Sequence, residues 1–207
     1  MDARQHKHGV TQHKNTVVRR KEIISAARRL IIRYGSEHVT VGRIAKEVGL
    51  SEGAIYRHFK SKKDILSLLV DYIEDNWLHE IAATGAGGHT TLEVLDSTLR
   101  RHLSAIEKRR GVSFQVVAEI TSLGDKKLNK KVSDTIDKYI GHLKGRLAEG
   151  VKAGEVREDI DLEAAATLLF GMIQGLVNIW ALKNYDFNPE EKYGPLWNIF
   201  RDAVVKH

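Results

Sequence analysis

Between Thr40 and Lys63 the chain gathers side chains suited to gripping a polyanion rather than reacting with it. The hydroxyls of Thr40, Ser51 and Tyr56 can donate to phosphate oxygens, and Arg43, Lys46, Arg57, Lys60, Lys62 and Lys63 can neutralise them. Catalysis has no comparable footing. Cysteine is absent, which excludes thiolate nucleophiles, thiolate metal sites and disulfides. There is no Walker sequence or dinucleotide fingerprint, and Gly85-Ala-Gly-Gly follows a helical pattern rather than a strand. His6, His8 and His13 have no carboxylate or cysteine nearby to complete a metal site. The expected action is binding, with no catalytic residue, metal or cofactor.

Charge is divided along the chain. Residues 1–63 hold 15 Lys/Arg against 5 Asp/Glu, and residues 64–207 hold 18 against 22, within an overall net charge of +6. A basic front module beside a slightly acidic remainder fits a polyanion-binding domain, although a solvated basic face would show the same asymmetry. The first 16 residues lack apolar periodicity and the apolar core of a signal peptide, and no apolar run suggests a membrane span of roughly 18 residues. They are expected to form a mobile basic arm, whose Arg4, Lys7 and Lys14, with Arg19 and Arg20, could enter a minor groove. A cytoplasmic location is expected.

The elements that must position these groups are helical. Apolar spacing of three and four recurs while period-two alternation does not, and the two prolines, Pro189 and Pro195, fall near the end. The expected fold is all-α with about nine helices: a helix-turn-helix domain over 17–63 and a helical domain over 64–207. Helix 1 is predicted from about Val17 to Tyr34, stopping at Gly35. Helix 2 follows Thr40, helix 3 spans Glu52 to Phe59, and Ser61 caps a long helix 4 whose stripe runs from Ile65 to Ile81. Gly85, Gly87 and Gly88 make a loop, and later helices cover roughly 92–106, 113–123, 126–152, 161–184 and Pro189 onward.

Residues 40–59 fit two short helices crossing steeply. Ala45 is small at the crossing, Gly49 can take the positive φ of the turn, and Ile44, Val48, Leu50, Ile55 and Phe59 form a miniature core. Glu52, Gly53, Ala54, Tyr56, Arg57 and His58 are left as the outward surface of a recognition helix in a major groove. Glu52 can accept from cytosine N4 or cap its own helix, Arg43 can donate to guanine, and Gly53 and Ala54 leave room for a thymine methyl.

The run Gly49-Leu-Ser-Glu-Gly-Ala-Ile-Tyr-Arg-His-Phe-Lys-Ser-Lys-Lys-Asp-Ile-Leu resembles the signature of the TetR family of transcriptional regulators, over about residues 18–70. The resemblance implies that Thr40, Tyr56, His58 and Lys62 contact phosphates or the groove wall, and that Arg43, Glu52, Gly53 and Ala54 lie nearest the bases. Ser51, Arg57 and Lys60 complete the candidate surface on double-stranded DNA.

A palindromic operator requires a two-fold dimer, and the last two helices offer its seam. Gly171 and Gly175 share one face, and Leu168, Phe170, Met172, Ile179, Trp180, Leu196, Phe200 and Val204 supply apolar area for a homodimer; an intramolecular core is the alternative. The resemblance also implies an effector cavity between helices 4 and 8. Its candidates are Trp77, His102, Leu103, Ile106, Phe114, Val117, Tyr139, Leu143 and Gln174, and their apolar bias suggests a small hydrophobic effector such as a fatty acyl derivative. In the family such a ligand shifts helix 4, separating the recognition helices and releasing a repressor. A second branch of the family consists of division inhibitors that stay on DNA and bind a protein partner through helices 4 and 5. Tyr56-Arg-His-Phe and Trp197 resemble that branch.

Overall fold

The computed structural model describes residues 3–34, 39–82 and 90–206, with side chains described from Val17 to Tyr34, from Val39 to Glu80 and from Thr90 to Lys206. Among these residues there are nine helices: α1 (Ala3–Tyr34), α2 (Val41–Val48), α3 (Glu52–Tyr56), α4 (Lys62–Ala82), α5 (Thr91–Lys108), α6 (Val112–Leu123), α7 (Lys126–Lys152), α8 (Leu162–Leu182) and α9 (Pro189–Val204). The stops expected at Gly35 and in the Gly85–Gly88 loop lie outside the described residues, as do the side chains of His6, His8, His13 and Ile81.

Most helix starts are written in short polar side chains. Thr40, Ser51, Thr90, Asp125, Asp161 and Asn188 each accept from backbone N–H groups of the first turn, and Thr90 and Glu93 form a reciprocal capping box. Helix 4 starts at Lys62, directly after Ser61, and the Asp64 carboxylate reaches back to the N–H groups of Lys60 and Ser61, at 2.6 and 3.1 Å. Helix 1 departs from expectation, beginning at Ala3 rather than near Val17. Residues 3–16 contain no proline, and their Lys, Arg and Gln have good helix propensity, so the helix can extend without an apolar stripe. The expected arm is therefore helical.

One continuous core runs from Ile23 on α1 to Val204 on α9. Ile44, Ile55 and Phe59 are fully buried in the front module, as expected, while α4 carries Ile65, Leu66, Leu69, Val70, Ile73 and Trp77 from that module into the rest. Helix 4 packs on α1, α5, α6 and α7, and the C-terminal layer is closed by α7 against α8 and by α9 against α5 and α8. Val156 forms an isolated antiparallel bridge with Val205, fixing the end of α9 to the turn after α7.

That corner has no spare volume. A Cβ on Gly150 of α7 would lie 2.7 Å from Cγ2 of the fully buried Val156 and 3.6 Å from Cβ of Thr91. Gly150→Ala is therefore expected to lower stability by about 1–3 kcal/mol through overpacking, read from chemical denaturation midpoints with an unchanged slope.

Candidate DNA interface and domain junction

The turn between α2 and α3 is built from backbone hydrogen bonds. Gly49 sits at φ 69°, its N–H donating to the Lys46 carbonyl while the Leu50 N–H donates to that of Ala45 at 2.9 Å. This left-handed residue reverses the chain within one step and is why the position needs glycine. Thr40 Oγ1 accepts from the Arg43 N–H at 3.2 Å and Ser51 Oγ from the Ala54 N–H at 3.2 Å. The hydroxyl protons of both remain available to a phosphate.

Helix 3 is shorter than expected. It ends at Tyr56, and a turn through Arg57 and His58 feeds the Phe59 N–H back to the Ile55 carbonyl at 2.9 Å. Thr40, Arg43, Ser51, Glu52, Gly53, Tyr56, Arg57 and Lys60 are exposed, and His58 and Lys62 are half-buried. Ala54 corrects the expectation: it is only 9% exposed, next to the fully buried Ile55. The Glu52 carboxylate folds over α2, where a Cβ at Gly42 would meet its Oε1 at 2.6 Å. Helix capping is done by Ser51 rather than Glu52. The Arg43 guanidinium lies 5.7 Å from the Tyr34 ring centroid.

The expected effector residues assemble in part. Trp77, His102 and Tyr139 meet at ring-centroid distances of 5.2–5.8 Å, and Phe170, which the sequence had placed near the dimer seam, joins them at 5.7 Å from Tyr139 and 6.2 Å from Trp77. Leu103, Ile106 and Leu143 are in the same core, with Phe114 and Val117 packed against it. Gln174 is half-buried, one turn beyond Phe170 on α8. A small apolar void beside Trp77 has a volume of about 10 Å³, lined by Val70, Ile73, Val117, Val132, Thr135 and Ile136, and an open groove of about 230 Å³ adjoins it at Val117, Val132 and Ile136. The void itself has barely room for one water.

Polar groups unforeseen from sequence join α4 to α5. Glu80 receives His102 Nδ1 at 2.7 Å and Arg109 Nη1 at 2.8 Å, and Arg109 Nη2 donates to Asn76 Oδ1 at 3.1 Å. The spacing of Glu80 and Arg109 carries no helical signal because they lie on different helices. Burial raises the pKa of Glu80, but hydrogen bonding and charge from His102 and Arg109 outweigh it and hold the carboxyl below its ordinary value. The Tyr139 hydroxyl has no hydrogen-bond partner among the described residues.

Arginines from both domains converge nearby. Arg29, Ile32 and Arg33 of α1 and Arg110 of the α5–α6 turn line an open groove of about 420 Å³. Arg110 is held at φ 50°, uncommon for a side-chain-bearing residue, with its guanidinium 5.0 Å from the Tyr185 ring centroid. Arg28 lies 4.1 Å from the Tyr72 ring centroid and is close enough to Arg109 for their charges to repel. Glu47 is the local counter-charge, 2.9 Å from Arg29 and 4.0 Å from Arg33.

The dimer candidates divide. Leu168, Gly171, Gly175, Ile179 and Leu196 are exposed, together with Leu182 and Ile199, and Met172 is half-buried. Phe200 and Val204 correct the expectation: they are 3% and 2% exposed, packed within the chain's own core. Apolar periodicity could not separate the two faces of α9. Helix α8 is also, contrary to the sequence reading, long and apolar enough to cross a membrane by length and composition, at mean hydropathy 1.6. Its interspersed Gly, Gln and Asn break the apolar run in the sequence.

Residues 23–69 match the model of the bacterial regulatory proteins of the tetR family, and residues 69–200 match that of the C-terminal region of YsiA-like proteins. The chain belongs to the TetR family. It is a DNA-binding transcriptional regulator of that family. The fatty acid metabolism regulator protein of Bacillus subtilis is 27% identical over 167 residues, covering 81% of this chain and 86% of that protein. The nucleoid occlusion factor SlmA of Photobacterium profundum is 25% identical over 186 residues, covering 87% and 93%. Among solved structures, FadR of Bacillus halodurans superposes with a TM-score of 0.73 at 23% identity, covering 87% of this chain and 93% of that one. FadR of Bacillus subtilis in complex with stearoyl-CoA gives 0.72 at 24%, covering 87% and 96%. These likenesses show a TetR-type fold.

The Glu80 cluster has a pH consequence. A carboxyl whose pKa is lowered by folding stabilises the native state above its unfolded value of about 4.3, and that contribution is lost as pH falls through the lower folded value. Denaturation midpoints measured from neutral pH down to about pH 3 should therefore fall less steeply in Glu80→Gln than in the parent chain. Parallel curves would show that Glu80 is not coupled to folding.

Proposed function

We propose that this TetR-family regulator acts in the cytoplasm as a repressor, binding a palindromic operator as a homodimer and leaving it when a fatty acyl derivative with an anionic headgroup binds. It acts by binding, without catalysis. The observation that carries the DNA reading is the exposed surface of α2, α3 and the following turn, where Thr40, Arg43, Ser51, Glu52, Gly53, Tyr56, Arg57 and Lys60 face solvent together, with His58 and Lys62 at its edge. Hydroxyls and cations there fix the chain on phosphates, and Glu52, Gly53 and Arg43 lie at the bases.

The effector reading is supported by the apolar box around Trp77 and Tyr139 and by the arginine groove at Arg29, Arg33 and Arg110. An apolar chain suits the first and phosphates suit the second. A relative solved with stearoyl-CoA has the same fold. With so little space beside Trp77, the chain must open the packing of α4 on α6 and α7 to enter, and that movement is what would displace the DNA-binding module.

A second reading is favoured by the small size of the void beside Trp77 and by the likeness to SlmA proteins: the helical domain would bind a protein while the front module stays on DNA. The two readings separate in one titration. A palindromic duplex selected by the full chain from random-sequence DNA, followed by fluorescence anisotropy at two salt concentrations, should bind two chains per site with marked salt dependence. Tyr56→Ala is expected to weaken it by about tenfold, the loss of a phosphate contact in each subunit. Stearoyl-CoA should release the duplex and coenzyme A alone should not. A duplex that no acyl-CoA of any chain length releases would favour the protein-partner reading, and failure to bind any selected DNA would end both.

The homodimer reading rests on the exposed apolar face of α8 and α9. Leu182 and Ile199 are 77% and 70% exposed, so Leu182→Asp with Ile199→Asp should leave the subunit folded while shifting light-scattering mass from dimer to monomer. A double variant that remains dimeric would place the interface elsewhere.

A further inference from the structure

The start of α4 is gripped by the domain behind it. Lys62 Nζ lies 2.7 Å from Glu119 Oε1 on α6, and Lys63 Nζ lies 2.7 Å from Asp125 Oδ2. Asp125 is itself fixed, because its other oxygen caps α7 by accepting from the N–H groups of Lys127 and Leu128 at 3.1 and 3.0 Å. The Glu119 side chain is 16% exposed and that of Lys62 is 31% exposed, so the pair is largely withdrawn from water.

Lys62 follows the recognition surface directly, within reach of the DNA that Tyr56, Arg57 and Lys60 would meet. A phosphate that approached Lys62 in place would come up against the Glu119 carboxylate, two like charges sharing one cation. If Lys62 instead swung out to the phosphate, Glu119 would lose this ion pair while still largely buried. In either geometry the carboxylate opposes DNA.

We propose that Glu119 is an intramolecular competitor of DNA for Lys62, so that the grip of α6 on α4 and operator binding are mutually antagonistic. The inference rests on the reading of Lys62 as a phosphate contact and adds a regulatory residue to it. Helix α6 is well placed to transmit a ligand signal through this pair. Val117, two residues before Glu119, walls the small void beside Trp77 together with Val70 and Ile73 of α4. A chain that widened that void would move α6 relative to α4 and change the hold of Glu119 on Lys62.

The test is a double-mutant cycle on the full chain, using the palindromic duplex selected from random-sequence DNA and anisotropy at low salt. Lys62→Met should weaken binding. Glu119→Gln, which keeps shape and removes charge, should tighten it by about three- to fivefold per subunit, the scale of a partly exposed ion pair. In the Lys62→Met background the same substitution should have no effect. Circular dichroism melts of each variant would establish that all are folded, with Glu119→Ala as a second substitution if the glutamine chain is not. Glu119→Gln binding no tighter than the parent would overturn the proposal while leaving the role of Lys62 intact. An equal gain in both backgrounds would also overturn it, as a diffuse charge effect. Unchanged binding by Lys62→Met would overturn the competitor and the Lys62 reading together.

Discussion

The position of the recognition surface depends on how α4 is held. That helix carries the core from the DNA-binding module into the C-terminal domain, and it is held at both ends. At its start, Lys62 and Lys63 are tied by ion pairs to α6 and to the α6–α7 turn. At its end, Glu80 is locked into a polar cluster with His102 and Arg109, inside a shell of Trp77, Tyr139 and Phe170. Between them Leu69, Val70 and Ile73 pack into the core. The two attachments are comparably withdrawn from water, Lys62 and Glu119 being 31% and 16% exposed and Arg109 and Glu80 29% and 12%. Helix α4 is thus fastened to the domain behind it by charged contacts at both ends.

How such a helix would be moved depends on the space around Trp77. A preformed hollow would bind a ligand without disturbing the helices around it, and a ligand that binds two states equally shifts neither. With about 10 Å³ in the void beside Trp77, a ligand entering there would have to separate α4 from α6 and α7, and its binding energy would then differ between the packed and opened states. Coupling to DNA would follow from that difference, and by linkage operator DNA would weaken ligand binding by the same factor.

What was legible in the sequence was what local chemistry decides. Thr40, Ser51 and Gly49 announce the helix-turn-helix because an N-cap hydroxyl and a left-handed glycine act within a few residues, and the spacing of Ile44, Ile55 and Phe59 marks its core. The misjudged features depend on partners far along the chain. Ala54 follows the outward Glu52 and Gly53 directly, and only packing shows that it is covered. Phe200 and Val204 share helical spacing with the exposed Leu196 and Ile199, and only packing against α5 and α8 tells which is which. Glu80 and Arg109 meet across two helices, a pairing no periodicity encodes. The extension of α1 back to Ala3 is hard to read for the opposite reason, since helix propensity supports it while residues 3–16 carry no apolar stripe.

The apolar character of α8 shows how far composition can be taken. By length and hydropathy it would satisfy a bilayer, yet Ala165, Ala166, Leu169, Ile173, Leu176 and Val177 are buried in the chain's own core. What remains outside is a strip formed by Leu168, Ile179 and Leu182 of α8, continued by Leu196 and Ile199 of α9, with Gly171 and Gly175 exposed along it. A lipid-facing helix has no use for two adjacent glycines at one spacing unless another backbone comes close, whereas a self-complementary helical face does. The strip belongs to two helices of one rigid layer, and a two-fold axis through it would set two DNA-binding modules at a fixed separation. A palindromic site with half-sites about one helical turn apart requires that fixed separation, so the apolarity of α8 and the polarity of α3 answer the same geometric demand from opposite ends of the molecule.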